Sequence, residues 1–172
     1  MLKLKKMEQI SFGNWYLKEL EAEIPASRKC IERVPESLYD WKPHEKSMAM
    51  GYLTLLVAEI PKWITQMIEK LEVDFATYEH FKPTTTDELV KHFDQNIEGA
   101  KNALRHISNE AFSKIFSLKN QGQVLFSSPL KESVSSTINH WVHHRGQLTV
   151  YMRLNNIPVP SIYGPSADDK GF

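Results

Sequence analysis

The strongest constraint on the fold is a regular spacing of apolar residues in segment 50–71. The repeating residues are separated alternately by three and four positions: Met50, Leu53, Val57, Ile60, Ile64, Met67 and Leu71. This heptad pattern places apolar side chains along one stripe of an α-helix, as in helices that pack side by side in a bundle. Pro61 lies within the segment and predicts a bend or a local break. We therefore expect a long core helix.

Three further segments have helical patterns. The first covers about 14–34, the second begins near Thr86 in "KPTTTDEL", and the third runs from about 130 to 155. Thr86 is expected to cap its helix, because a threonine hydroxyl can accept a hydrogen bond from a free N–H of the first turn. Asp87 and Glu88 then place negative charge at the positive end of the helix dipole.

The segment 112–129 interrupts the helical pattern. In "IFSLKNQGQVLFSSP", apolar residues flank "KNQGQ", where Gly122 suits a turn, and this predicts a short hairpin or an irregular crossover. Four helices with almost no strand predict an all-α four-helix bundle, with residues 1–172 forming a single domain.

Charge and composition exclude several classes of protein. The 21 basic residues balance the 21 acidic ones, which argues against the clustered basic surface of a nucleic-acid-binding protein. The chain has no apolar run of about 18 residues, so we expect no membrane span. "MLKLKKMEQI" lacks the apolar stretch of a signal peptide, and the single cysteine, Cys30, fits a packed side chain in a reducing cytoplasm.

The segment "HWVHHRGQLTVY" concentrates histidines on the last helix. His140 and His144 are four positions apart and therefore project from one face, at the spacing with which two imidazoles can hold one metal ion. His143 points elsewhere, and Trp141 stands where a zinc protease needs glutamate. The alternative is that both histidines are partly buried and hydrogen-bonded within the bundle, since a metal needs at least one further ligand.

The long segment "NHWVHHRGQLTVYMRLNNIPVPSIYGPSADD" resembles the C-terminal signature of the DinB family. The stretches "YDWKPHEKSMAMGYLTLLVAEIPKW" and "KPTTTDELVKHFDQNIEGAKNAL" are similar to that family's second and third helices, so the resemblance covers nearly the whole chain. It implies a bundle with up-down-down-up connectivity, often a homodimer. It also implies a divalent metal on three histidines, one from the second helix and two from the fourth.

The implied metal site is incomplete in this sequence. The fourth-helix pair corresponds to His140 and His144, but Leu56 occupies the position of the second-helix histidine. Glu59, one turn further along that helix, is the nearest carboxylate that could substitute, although a surface or helix-end ion pair is the alternative. We therefore expect a degenerate site for zinc, nickel or manganese.

Other residues of the same signature are candidates for a supporting role. Arg145, Gln147 and Tyr151 could line the pocket or orient a metal ligand. The structural alternative pairs Arg145 with a carboxylate or a chain terminus and has Gln147 bind a loop. Gly146 is expected to let another segment approach the helix closely.

Two functions are consistent with this resemblance. One is a metal-dependent enzyme, because relatives in the wider superfamily include transferases and isomerases that use a low-molecular-weight thiol; a hydrolase-like activity is a variant of it. The other is a non-catalytic, dimeric, stress-related bundle that has lost the metal and binds a small ligand or a protein partner. Direct DNA binding, suggested by the family's damage-inducible name, is disfavoured by the neutral charge.

Overall fold

The structure, a computed structural model, describes residues 11–171, so the expected absence of a signal peptide concerns residues outside the described part. Its four long helices are α1 (Phe12–Glu32), α2 (Met50–Lys70), α3 (Thr86–His106) and α4 (Leu130–Leu154). Single 3₁₀ turns lie at Glu36–Leu38 and Ala111–Ser113, and three strands are present: β1 (Glu72–Asp74), β2 (Ile115–Asn120) and β3 (Gln123–Pro129).

The four predicted helices are confirmed, but the bundle is not strictly all-α, because the strands form a small sheet in the order β1-β2-β3. The β2–β3 hairpin realises one of the two forms predicted for the crossover, and its two-residue turn has positive φ at Gln121 and Gly122. β1 was not predicted, since three residues carry no detectable period. It pairs in parallel with β2, and the Asp74 carboxylate accepts the N–H groups of Gln121 and Gly122.

The heptad stripe of α2 lies in the core, as predicted. Its residues from Met50 to Met67 are buried, whereas Leu71 ends the helix in a left-handed conformation. Residues 53–61 are buried without interruption, so α2 is the central helix rather than a half-exposed one. This accounts for the apolar character of Leu55 and Leu56, which stand beside the stripe.

Pro61 does not interrupt α2, and other helices supply the hydrogen bonds that the proline disturbs. Proline has no N–H, so the carbonyl of Val57, four residues earlier, loses its normal helical partner. The buried indole Nε1 of Trp141 donates to that carbonyl at 2.8 Å, and Asn96 donates to the neighbouring carbonyl of Ala58 at 2.9 Å. These bonds join α4 and α3 to the middle of α2.

The start of α3 differs by one residue from the prediction. Thr85, not Thr86, is the N-cap, and it forms a capping box with Glu88. The hydroxyl of Thr86 donates instead to the carbonyl of Val34 at 2.6 Å, which ties α3 to the end of α1. The sequence could not show which threonine caps the helix, because Thr85 and Thr86 are adjacent and identical.

Two expectations from composition can be compared with the fold. Cys30 is fully buried, which confirms the predicted packed side chain, and burial raises the pKa of its thiol to about 11. No helix in residues 11–171 combines the length and the apolar character that crossing a membrane requires.

Candidate metal centre

The two histidines of interest meet on the α2-facing side of α4. The Nε2 atoms of His140 and His144 lie 2.7 Å apart, so the imidazoles share a hydrogen bond. His144 is only 8% exposed and His140 is half-buried, with its ring centroid 5.5 Å from that of Trp63 on α2. Trp141 lies between the two histidines in sequence, and its hydrogen bond to the Val57 carbonyl attaches this part of α4 to α2.

Gln147 sets the proton positions of the pair. Its side-chain Oε1 can only accept, so the Nδ1 of His144, 2.8 Å away, carries the proton that is donated. The Nε2 of His144 is then an acceptor, and the Nε2–H of His140 donates to it. His144 therefore already has the tautomer that a metal at Nε2 requires, while His140 would have to move its proton to Nδ1.

Both imidazoles are neutral at neutral pH. Burial lowers the pKa of His140 below its usual value, and the nearby His144 and His143 lower it further. Burial also lowers the pKa of His144, against an opposing effect of the bond to Gln147. Neutral imidazoles are the form that binds metal ions, so protons do not compete strongly for this pair.

The pair fits a metal as two ligands, and a third ligand would have to come from another group. Two histidine nitrogens on a tetrahedral zinc lie about 3.3 Å apart, so the pair would open by about 0.6 Å. Within residues 11–171, no group of three or more histidine, cysteine, aspartate or glutamate side chains is placed to hold a metal. Leu56 is 6% exposed and presents an alkyl group in the family's third position.

Glu59, the candidate substitute ligand, is fully buried and has other partners. Its carboxylate accepts the backbone N–H of Phe81 at 2.7 Å, and it lies 2.7 Å from Nδ1 of His80 and 3.3 Å from Nε2 of His92. The surface ion pair that we gave as its alternative role is therefore wrong. Sequence reasoning missed His80 and His92 because they lie 21 and 33 positions away, with no common motif.

Arg145 pairs with a carboxylate, which is the structural alternative predicted for it. Its guanidinium is almost completely buried and pairs with the Glu23 carboxylate at 2.5 Å, and it also donates to the Ser27 hydroxyl. A third bond, 2.9 Å long, reaches the hydroxyl of Tyr163 in the C-terminal segment. These contacts join α1, α4 and that segment.

The remaining candidates lie away from the pair. The ring of Tyr151 packs edge-on against Trp41, with 5.4 Å between centroids. A Cβ added to Gly146 would meet nothing within 4 Å, so the expected close approach of another segment is wrong. His143 is exposed, as its direction on the helix predicts.

Comparisons with known proteins agree with the resemblance. The sequence profile described as the DinB family matches residues 7–170. A crystal structure of the DinB-like protein YjoA from Bacillus subtilis has a TM-score of 0.68 at 18% identity, covering 84% of this chain and 96% of that one. A DinB-like protein from Bacillus cereus ATCC 10987 has a TM-score of 0.66 at 18% identity, covering 87% and 97%.

One curated relative matches over a shorter stretch. The uncharacterized protein YrdA of Bacillus subtilis (strain 168) is 53% identical over 32 residues, which is 19% of this chain and 19% of that protein. The matched stretch thus spans about a fifth of the relative's length. At 18% identity, the two crystal structures bear on the fold alone.

Proposed function

The chain belongs to the DinB family, and we propose that it holds a degenerate divalent-metal centre on His140 and His144 that serves thiol-dependent transfer chemistry. The observation that carries the proposal is the close approach of two neutral imidazole nitrogens, 2.7 Å apart. Gln147 supports it by holding His144 in the metal-binding tautomer.

The residues around the pair suit a small exogenous ligand. A bound divalent metal would supply a Lewis acid that lowers the pKa of a coordinated thiol. Because Leu56 supplies no ligand atom, a thiol from solution would complete the coordination of the ion. His144 is only 8% exposed, so electrostatic interactions at its ring would be stronger than in water.

Metal content and metal titration test this proposal. We expect zinc, nickel or manganese to bind at one ion per chain, measured by calorimetry and elemental analysis. His144→Ala should abolish binding, whereas His143→Ala, an exposed histidine beside it, should leave binding unchanged. Adding a low-molecular-weight thiol should tighten zinc binding to the wild type. No metal binding with or without thiol would reject the proposal.

A second candidate is the non-catalytic bundle that has lost its metal. The observation that favours it is the buried Leu56, which replaces a ligand with an alkyl group. In this case the chain binds a small ligand or a protein partner, and His140 and His144 keep their mutual hydrogen bond. The metal titration separates the two candidates, because only the first requires an ion.

We also propose that the chain is a homodimer. Apolar side chains on the small sheet, Ile115, Val124 and Leu125, are more than half exposed, and a second copy could cover them. Light scattering coupled to size exclusion should give twice the 19.9 kDa chain mass. A monomer mass at micromolar concentration would contradict this.

A further inference from the structure

A cavity of about 270 Å³ lies between α2, α4 and one face of the small sheet. Seven lining residues are apolar: Trp63, Met67, Val73, Phe75, Phe116, Leu118 and Phe126. Six are polar: Tyr78, His80, Ser133, Ser136, Thr137 and His140. Leu118 and Phe126 are paired across β2 and β3 and so present their side chains on one face. Of the residues discussed for the metal site, His140 lines the cavity, whereas Leu56 and His144 do not.

The lining selects an uncharged ligand. No lysine, arginine, aspartate or glutamate is among the lining residues. Two charged groups lie behind the wall: the Glu59 carboxylate is engaged by His80 and by the N–H of Phe81, and the Lys62 ammonium lies over the ring of Tyr78. A charged ligand would lose its hydration without gaining an opposite charge, which is costly in such surroundings.

The volume and the aromatic residues indicate the size and type of molecule. An apolar cavity of about 150 Å³ holds one benzene ring. The volume here is nearly twice that, which suits two fused rings. Trp63, Phe116 and Phe126 offer ring faces and edges, against which aromatic ligands pack favourably.

One polar group in the wall has only a weak partner. The Thr137 hydroxyl belongs to a residue that is 5% exposed, and within the described part of the chain it donates only to the thioether sulfur of Met67, at 3.5 Å. Thioether sulfur is a poor acceptor. In contrast, the Ser133 hydroxyl has a good bond to Ser128, at 2.6 Å. A hydroxyl or carbonyl group on a ligand would satisfy Thr137.

We propose that this cavity binds an uncharged two-ring aromatic molecule with one hydroxyl or carbonyl group, which hydrogen-bonds to Thr137. Phe75 and Phe126, each about half exposed, form the apolar entrance. The inference extends the ligand-binding candidate by naming a ligand class, and it does not require a metal at His140 and His144.

Calorimetry with defined probes tests the proposal in the presence of a chelator. The probes are 2-naphthol, naphthalene and naphthalene-2-sulfonate, which differ in the hydroxyl group and in charge. Ser136→Phe narrows the cavity from the exposed side of α4, and Asn139→Phe places the same ring one turn away, outside the lining. Thr137→Val removes the hydroxyl and keeps the side-chain shape. Circular dichroism confirms that each variant is folded.

We expect 2-naphthol to bind one per chain, at least about 10-fold more tightly than the sulfonate. Ser136→Phe should weaken binding about 10-fold or more, and Asn139→Phe should change it less than about 2-fold. Thr137→Val should reduce the affinity for 2-naphthol about 5-fold, which is the effect of one hydrogen bond, and should leave the affinity for naphthalene unchanged.

Absence of saturable 2-naphthol binding to the wild type would overturn the proposal. Equal affinity for the sulfonate, or wild-type affinity in a folded Ser136→Phe variant, would do the same. The metal titration is run without the aromatic probes and the naphthol titration with a chelator, so each experiment reports on one proposal. The failure of either proposal can therefore be recognised independently of the other.

Discussion

The backbone N–H of Phe81 donates to the buried carboxylate of Glu59 at 2.7 Å, across 22 residues of sequence. The same carboxylate holds His80, so it fixes the segment between β1 and α3 against the central helix. That segment also carries Tyr78, whose hydroxyl accepts from the indole of Trp63 at 2.8 Å. Glu59 thus determines the position of one wall of the cavity.

Replacing Glu59 should destabilise the fold strongly. Glu59→Ala leaves the Phe81 N–H and His80 without their acceptor and removes the carboxylate 3.3 Å from Nε2 of His92, and removal of one member of such a buried cluster costs about 3–5 kcal/mol. Urea denaturation measures the change in the free energy of unfolding. Glu79→Ala, an exposed glutamate of the adjacent segment, is the matched control and should change it by less than about 0.5 kcal/mol.

Glu59 should also make stability depend on pH in the acid range. Burial raises the pKa of its carboxyl, but hydrogen bonds from His92, Phe81 N–H and His80 outweigh this effect and leave the pKa below its usual value. The contribution is therefore complete above the unfolded-state pKa of about 4.3 and is lost as pH falls through the lower folded-state pKa. Glu59→Gln should show a shallower loss of unfolding free energy below about pH 4.3 than the wild type. Equal slopes for the two proteins would contradict this assignment.

Leu56→His should complete the metal site. An imidazole at this buried position adds a third nitrogen ligand, so zinc affinity should rise by at least about 10-fold. Without metal, the variant should be less stable than the wild type, because a polar ring replaces a buried leucine. Leu55→His, at the adjacent buried leucine, is the control: it should lose stability and gain no zinc affinity.

Gln147 should affect metal binding without contacting the ion. Gln147→Leu removes the acceptor that holds the Nδ1 proton of His144, and loss of such an outer partner costs about 10-fold in metal affinity. Gln147→Glu keeps an acceptor and should retain the affinity. Zinc titration of both variants measures the difference. If Gln147→Leu binds as tightly as the wild type, the tautomer assignment is incorrect.

Tyr163 should attach the C-terminal segment to the bundle through Arg145. Its hydroxyl donates to Glu23 at 3.1 Å and accepts from Arg145; because Tyr163 is largely exposed, Tyr163→Phe should cost about 0.5–1.5 kcal/mol. Hydrogen exchange should accelerate in residues 160–171 more than in the helices. Arg153→Met removes an exposed ion pair with Asp168 and should change the free energy of unfolding less than Tyr163→Phe does.

Local patterns in the sequence predicted much of the fold. The 3–4 spacing from Met50 predicted the buried stripe of α2, because a helix repeats its face every 3.6 residues. Gly122 predicted the turn of the hairpin, because its position requires a positive φ. The four-residue spacing of His140 and His144 likewise predicted that they would meet, since both lie on one helix.

Other features depended on residues that are distant in the chain. Glu59 looked like a surface or helix-end residue on α2, and only the packing of the 75–85 segment and of α3 against α2 brought His80 and His92 to its carboxylate. The sequence predicted a bend or break at Pro61 but not that the indole of Trp141, from another helix, would donate to the freed Val57 carbonyl. The sequence alone determined which residues share a face of one helix, because that depends only on helical geometry. The tertiary structure decided which buried polar groups become partners, because each must be hydrogen-bonded and its partner comes from elsewhere in the chain.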